Sequence, residues 1–338
     1  FDSSRLFLSS SSRFLKSRNI SNSRCLFSMS TDKIDISSLE GKPLIELEDC
    51  LKVFSKGPVF IDGSWFLKGR NARKEYEQGP RIEGARFFDI DDIASKGELL
   101  NPKSLPHMMP PKKIFAAAMD ALSITNNDHL IVYGSQGCLF PHRTWYQLRA
   151  MGHPAELVHF MQGSIEDWKA AGGPIDETPT TLFRVDELDL EKEPKYVATD
   201  AQNVVDIEAV KQIVKSQDGD IMVDVRAADR FKGLVEEPRP NMRLGHMPGA
   251  LNIPFTDLLD PDNISKFKSK EDMRKIISDA GLDINTSKRV VCSCGSGASA
   301  CALALALDVC GRDPRGTFIY DGSWSEWGMP GGDTPIVK

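Results

Sequence analysis

Hydrophobic positions along the chain fall into short bursts whose spacing changes in a set order, and that order appears twice. Leu44–Val53 carries apolar residues at helical spacing, and Val59-Phe60-Ile61-Asp62 follows as a β-branched and aromatic strand ending on an acid. Val205–Val214 is again helical in spacing, and Ile221-Met222-Val223-Asp224 is again a strand ending on Asp. Gly84-Ala85-Arg86-Phe87-Phe88-Asp89 is echoed by Gly249-Ala250-Leu251-Asn252-Ile253-Pro254-Phe255. His129–Tyr133 and Arg289–Cys292 are a third pair, each running into a turn that contains Gly. Gly163-Ser164-Ile165-Glu166-Asp167-Trp168 recurs as Gly322-Ser323-Trp324-Ser325-Glu326-Trp327, and a Gly/Pro-rich stop comes after both. Paired segments lie about 160 residues apart, the mark of a tandem duplication.

Strands alternating with helical segments predict an α/β fold, each unit a mostly parallel sheet flanked by helices. The expected organisation is a first unit at 40–175, a linker at 176–200 and a second unit at 201–335. The linker is rich in Pro, Thr and acids and has little periodicity. In such sheets ligands sit at the C-terminal ends of the strands.

One strand end carries chemistry. Val290-Val291-Cys292-Ser293 leads into Cys294-Gly295-Ser296-Gly297-Ala298-Ser299 and then into the Ala/Leu helix that includes Ala302–Leu307. Gly295 and Gly297 let successive N–H groups curl inward as an anion nest, and the helix N-terminus adds positive potential there. Such a field favours a thiolate, which makes Cys294 the candidate nucleophile and suits a negatively charged adduct. Ser296 can donate a hydrogen bond to a substrate or to that adduct. Cys301 and Cys310 read as packing residues; Cys292, two residues before Cys294, reads as core with a redox partnership as the alternative.

Composition narrows the class. The 338 residues are 41% hydrophobic and 27% charged, an ordinary globular balance long enough for two domains. A net charge of −6 argues against a nucleic-acid partner, and no apolar run approaches the length that crosses a bilayer. Seven cysteines without framework spacing read as reduced thiols. Residues 1–30 differ from the rest: Ser-rich, with Arg5, Arg13, Lys16, Arg18 and Arg24 against the single acid Asp2. That profile predicts a transit peptide, mitochondrial rather than secretory, or else a disordered leader. The expected address is the mitochondrial matrix; a form without the leader would stay in the cytoplasm.

The loop Cys294-Gly295-Ser296-Gly297-Ala298-Ser299-Ala300 resembles the active-site loop of the rhodanese superfamily, in the 3-mercaptopyruvate and thiosulfate sulfurtransferase family, and specifically that of its 3-mercaptopyruvate branch, where it reads Cys-Gly-Ser-Gly-Val-Thr-Ala. Thiosulfate-specific members carry basic residues in this loop, and this one carries none. The resemblance implies two tandem rhodanese-like domains, the first catalytically silent, because Ser135 stands where the second copy has Cys294. Cys138 is then structural. Pro141–Trp145, with Arg143, is similar to the family's Ala-Pro-Arg-Val-Trp segment. The first copy departs from the family's Gly-His-Ile-Pro-Gly-Ala at Gly79–Ala85, whereas Gly245–Ala250 keeps it.

By the same resemblance Arg230 and Arg239, in Asp229–Pro240, bind substrate carboxylate and carbonyl, and Asp91 and His107 form a proton relay from the silent domain. Gly295, Gly297, Ala298 and Ser299 join them as substrate-binding positions. The implied activity moves sulfane sulfur from 3-mercaptopyruvate through a Cys294 persulfide to a thiol, sulfite or cyanide, releasing pyruvate. An acceptor thiol such as thioredoxin or a smaller thiol is the implied partner. No metal and no organic cofactor is expected, since the Gly-x-x-Gly fragments lack a dinucleotide context. Two alternatives stay open: a thiosulfate-preferring enzyme, and a non-catalytic thiol module using Cys292, Cys294, Cys301 and Cys310, whose spacing is not a usual zinc pattern.

Overall fold

The bursts of β-branched residues become the central strands of two separate sheets. A computed structural model describes residues 35–216 and 219–338; the leader predicted at 1–30 lies outside the described residues. The first sheet contains β1 (Leu44–Glu46), β2 (Val59–Asp62), β3 (Arg86–Phe87), β4 (Leu130–Gly134) and β5 (Val158–Ser164). The second contains β6 (Val204–Val205), β7 (Ile221–Asp224), β8 (Leu251–Asn252), β9 (Val290–Ser293) and β10 (Thr317–Tyr320). Strand order is β1-β5-β4-β2-β3 in the first and β6-β10-β9-β7-β8 in the second, and every pair is parallel. Registers agree too: Asp62 stands opposite Tyr133 and Asp224 opposite Ser293, which makes Gly134 the counterpart of Cys294, one residue before the Ser135 expected from the repeat spacing. The sequence repeat is therefore a repeat of topology. Strands β4 and β9 are buried along their whole length, as central parallel strands must be.

The edges differ from the sequence expectation. Helical spacing over Leu44–Val53 and Val205–Val214 predicts uninterrupted helices, but each segment is entered through a short edge strand. Leu44–Glu46 pairs with Phe160–Gln162, and Val204–Val205 pairs with Ile319–Tyr320. Helices Leu47–Val53 and Ile207–Ser216 start only after those strands. An edge strand this short leaves too few alternating positions to show in the pattern.

Among the described residues three hydrophobic cores follow from this layout. One lies on the outer face of the first sheet around Trp168, and another on the outer face of the second around Trp324 and Trp327. The third is shared, with Phe115, Trp145 and Phe160 from the first domain packed among Phe267, Leu303 and Leu305 from the second. Helices α1 (His142–Ala150) and α2 (Ala300–Val309) meet inside it. Helix α2 is apolar all round and buried from Ala300 to Leu307, which is possible only between layers. Residues 176–200 are tied to the first domain: Val185 N–H donates to Asp92 at 2.9 Å, and the Lys195 and Tyr196 amides donate to Asp120 at 2.7 and 2.9 Å. Where the first copy departs from Gly-His-x-Pro-Gly, Arg81 donates to Asp176 at 2.6 Å and to the Thr178 carbonyl at 2.7 Å. His246, its counterpart, bonds the Phe231 carbonyl at 2.8 Å and pairs with Val337. Both residues anchor the C-terminal end of their own unit.

Candidate active site

Strand β9 delivers Cys294 to the C-terminal edge of the second sheet, and the repeated hexapeptide holds the loop that leaves it. The Cys294 carbonyl accepts from Trp324 N–H at 3.0 Å, and the Gly295 carbonyl accepts from Ser325 N–H at 2.8 Å and Ser325 Oγ at 2.6 Å. The Cys294 N–H donates to Ser323 Oγ at 3.1 Å. With its carbonyls held on that side, the loop has no partner among the described residues for the amides of Gly295, Ser296, Gly297, Ala298 and Ser299. Gly297 makes the turn at φ +78°, and a Cβ there would lie 2.9 Å from the Asp321 carbonyl oxygen. Unfilled donors at a helix start form an anion cradle.

Cys294 opens onto a pocket of ≈ 160 Å³ built from both domains. Trp65, Leu67, Leu139 and Phe140 come from the first; Arg230, Arg239, Phe255, Gly295, Ser296 and Ser299 come from the second. Gly297 and Ala298 do not line it; Ala298 is buried beneath, so both act through backbone geometry. A Cβ on Gly295 would sit 3.2 Å from Arg230 Nη2 and 3.6 Å from Arg239 Nη1, so both guanidinium groups flank the residue next to the nucleophile.

The two arginines are held differently. Arg230 pairs with Glu237, whose buried carboxylate also takes Arg226 Nη1 at 2.8 Å. Arg226 is itself fully buried, paired with Asp224 and stacked over Trp324 at 4.0 Å, which makes it structural. Glu237 is thus the hinge of an Asp224–Arg226–Glu237–Arg230 chain. Arg239 is half-buried and has no hydrogen bond or ion pair among the described residues. Burial pushes its guanidinium down from the ordinary range, partly opposed by Cys294.

The resemblance puts His107 in the cleft, but the structure places it behind Trp65. Its side chain is 1% exposed, with Nδ1 2.6 Å from Asp91 Oδ1 but out of line for a hydrogen bond. The Trp65 ring stands edge-on to it at 4.5 Å, and Trp65 Nε1 donates to Asp91 Oδ2 at 2.5 Å. Burial opposes charge on Asp91, yet the His107, Trp65 and Lys96 contacts hold its carboxyl below the usual range. Among the described residues no hydrogen bond joins His107 to Cys294 or Ser296. Below the loop, Arg143 of the first domain is fully buried, paired with Asp321 at 2.7 Å and bonded to the His107 carbonyl. The other Asp321 oxygen accepts from Met109 N–H at 2.7 Å.

The matching loop of the first domain is filled by its own side chains. Ser135 N–H donates to Ser64 Oγ at 2.8 Å, Gln136 N–H to Glu166 Oε2 at 2.7 Å, and Cys138 N–H to the Ser135 carbonyl at 3.0 Å. Burial pushes the Cys138 thiol up to about 12, and its Sγ bonds the Trp65 backbone at 3.3 Å. Cys301 is likewise driven to about 12, and Cys50, Cys292 and Cys310 are also raised, all chiefly by burial. Among the described residues no cluster of three His, Cys, Asp or Glu side chains could hold a metal.

Two copies of one sheet, with a cysteine loop in the second alone, match known proteins over most of their length. Residues 69–171 and 206–329 each match the rhodanese-like domain family. Over 273 residues the chain is 34% identical to a Homo sapiens protein named 3-mercaptopyruvate sulfurtransferase, covering 80% of this chain and 84% of that one. The chain belongs to the rhodanese family. Its relatives include the Saccharomyces cerevisiae protein named thiosulfate sulfurtransferase TUM1, 30% identical over 296 residues, covering 83% of this chain and 91% of that one. A crystal structure of Escherichia coli SseA, described as a 3-mercaptopyruvate sulfotransferase, superposes with a TM-score of 0.67 at 27% identity. It covers 84% of this chain and all of that one. This rhodanese is an enzyme, a sulfurtransferase of the 3-mercaptopyruvate/thiosulfate type.

Within this rhodanese, Cys294, Ser296, Ser299, Gly295, Arg230 and Arg239 line one pocket. Asp91 reaches the pocket wall only through Trp65. Trp65, Glu237, Arg143 and Asp321 are contributors that the sequence does not single out. Only Arg143 leaves a trace there, through the Pro141–Trp145 likeness, because the others act through tertiary contacts.

Proposed function

We propose that the enzyme takes sulfur from 3-mercaptopyruvate onto Cys294 and passes it to an acceptor thiol, sulfite or cyanide, releasing pyruvate. Arg239 carries this reading: a half-buried cation without a partner among the described residues, facing the nucleophile, is a seat for a carboxylate. The Cys294 thiolate attacks the substrate sulfur, an S–S bond forms and the C–S bond breaks. The electron pair passes to the enolate of pyruvate, which is protonated on leaving. The persulfide Cys294–S–S⁻ is then held by the loop amides and Ser296 Oγ, and an acceptor nucleophile removes its outer sulfur.

Arg230 and Arg239 bind carboxylate and carbonyl, with Gly295, Gly297, Ala298 and Ser299 shaping the seat. Asp91 and His107 support proton transfer from behind Trp65 by fixing that wall rather than by touching the sulfur. Two cations would also hold a dianion, which keeps thiosulfate as the second donor. The uncharged loop favours the monoanionic thiol acid, and the ratio of turnover on the two donors decides between them. The acceptor in the cell is thioredoxin or another small thiol. The basic, Ser-rich residues 1–30 support a mitochondrial matrix address.

The decisive experiment is pyruvate release from 3-mercaptopyruvate by Cys294→Ser and Cys138→Ser enzymes, with the persulfide followed by mass spectrometry. Cys294→Ser is expected to abolish both signals and Cys138→Ser to leave most of each. Equal loss in the two mutants would mean that the second loop is not the reacting one.

A further inference from the structure

The repeated hexapeptide does more than mark a duplication, and the two copies use its fourth position in opposite ways. In the second copy Ser325 turns its hydroxyl to the Gly295 carbonyl at 2.6 Å, and its N–H meets the same oxygen at 2.8 Å. In the first copy the equivalent residue is Glu166, and its carboxylate takes the Gln136 amide at 2.7 Å. By the register that sets Tyr133 against Ser293, Ser135 is equivalent to Gly295 and Gln136 to Ser296, so the gripped carbonyl and the occupied amide belong to the same peptide unit of the two loops. One side chain therefore grips the carbonyl and leaves the loop amide free, while the other occupies the amide with a built-in anion. Arg70 completes the likeness: it bonds the Gln136 carbonyl and pairs with Glu75 at 2.6 Å, much as Arg230 lies over Gly295 and pairs with Glu237.

We infer that Ser325 is a positioning residue for sulfur transfer, and that its counterpart Glu166 closes the first domain's loop to anions. The inference rests on the proposed thiolate and persulfide at Cys294 but concerns what keeps their cradle empty. A carboxylate at position 325 would lie against the Ser296 amide and compete with the sulfur anion in both charge and place. The silent domain is then silenced twice, by the absent thiol and by an occupied cradle.

The test exchanges the two side chains. Ser325→Glu is expected to lower kcat for 3-mercaptopyruvate on the order of a hundredfold, the scale of losing an anion-hole donor, while KM, set by the arginines, moves little. Ser325→Thr keeps the hydroxyl and is expected to retain most of kcat; Ser325→Gln supplies the bulk without the charge and is expected to fall between. Wild-type kcat in Ser325→Glu, or equal losses in the Glu and Gln variants, would overturn the inference.

Because position 325 is buried, a second measurement avoids a folding failure there. In a Cys294→Ser background, Ser135→Cys is made with and without Glu166→Ser, at the exposed first-domain loop. The pH midpoint of iodoacetamide labelling of the introduced thiol is expected to fall by about one unit when Glu166 is replaced, since a facing carboxylate disfavours a thiolate. An unchanged midpoint would overturn the inference. Neither outcome depends on whether mercaptopyruvate is the donor, so this arm fails separately from the proposed function.

Discussion

Two glycines of the active loop sit two residues apart and should fail in different ways when given a methyl group. At Gly297 the φ of +78° costs an L-residue about 1–2 kcal/mol, and the new Cβ would meet the Asp321 carbonyl at 2.9 Å. That oxygen is backbone just past β10, on a residue pinned by Arg143 and Met109, so it cannot yield cheaply. Adding about 1–3 kcal/mol for overpacking, Gly297→Ala should destabilise the protein by about 2–5 kcal/mol and lower Tm by roughly 5–15 °C. The loop would relax by a fraction of an ångström, which moves Cys294 off line and costs roughly ten- to hundredfold in kcat. At Gly295 the nearest atoms are Arg230 Nη2 at 3.2 Å and Arg239 Nη1 at 3.6 Å, the far ends of long side chains; among the described residues only Arg230 is tied, through Glu237. Gly295→Ala should therefore leave Tm and kcat nearly unchanged and raise KM for 3-mercaptopyruvate roughly three- to tenfold. Steady-state kinetics and thermal melts on both variants check this. If Gly297→Ala keeps wild-type kcat, or Gly295→Ala loses kcat with KM intact, the loop is not held as described.

The arginines should also separate. Arg239→Ala removes an unshared cation and should cost about 1.5–3 kcal/mol in kcat/KM, roughly ten- to hundredfold; Arg230→Ala should cost less, because Glu237 already shares its charge. Iodoacetamide labelling of Cys294 should fall less than turnover in both variants, and near-wild-type kcat/KM in Arg239→Ala would remove the main support for a carboxylate substrate. A pH effect is expected far from the reaction: burial pushes the Asp62 carboxyl from 3.8 up to about 6 despite the Ser64 N–H bond at 2.9 Å. The folded state therefore holds this proton more tightly than the unfolded chain, a contribution full below about pH 4 and lost as pH rises through about 6, worth about 3 kcal/mol. Urea unfolding at pH 4.5 and 7.5 should show that Asp62→Asn flattens this loss; an identical pH dependence in the mutant would discount it.

What sequence could supply was local. Strands ending on Asp62 and Asp224, the small-residue loop and the buried helix Ala300–Val309 are each written in contiguous residues, so periodicity finds them. Edge strands of two or three residues are too short for any period to register. Arg143 and Asp321 pair across 178 residues, and charge pattern along the chain carries no sign of such a partner. The two uses of the hexapeptide are equally hidden, because Glu166 and Ser325 look like neutral variation until the carbonyl and the amide they bind are seen.

The two helices in the shared core carry a consequence of another kind. Arg149 near the end of α1 and Asp308 near the end of α2 are equivalent in the repeat, and they pair with each other at 2.6 Å. A residue that meets its own counterpart lies near a twofold axis. In a dimer of identical subunits such a position must face itself, and either charge would repel its copy. Joining both units in one chain frees each side to differ, so like against like can become Arg against Asp. The contact binds the domains through an asymmetry that no pair of identical subunits could encode, and the same freedom lets one loop keep a nucleophile while the other gives its amides to Ser64 and Glu166.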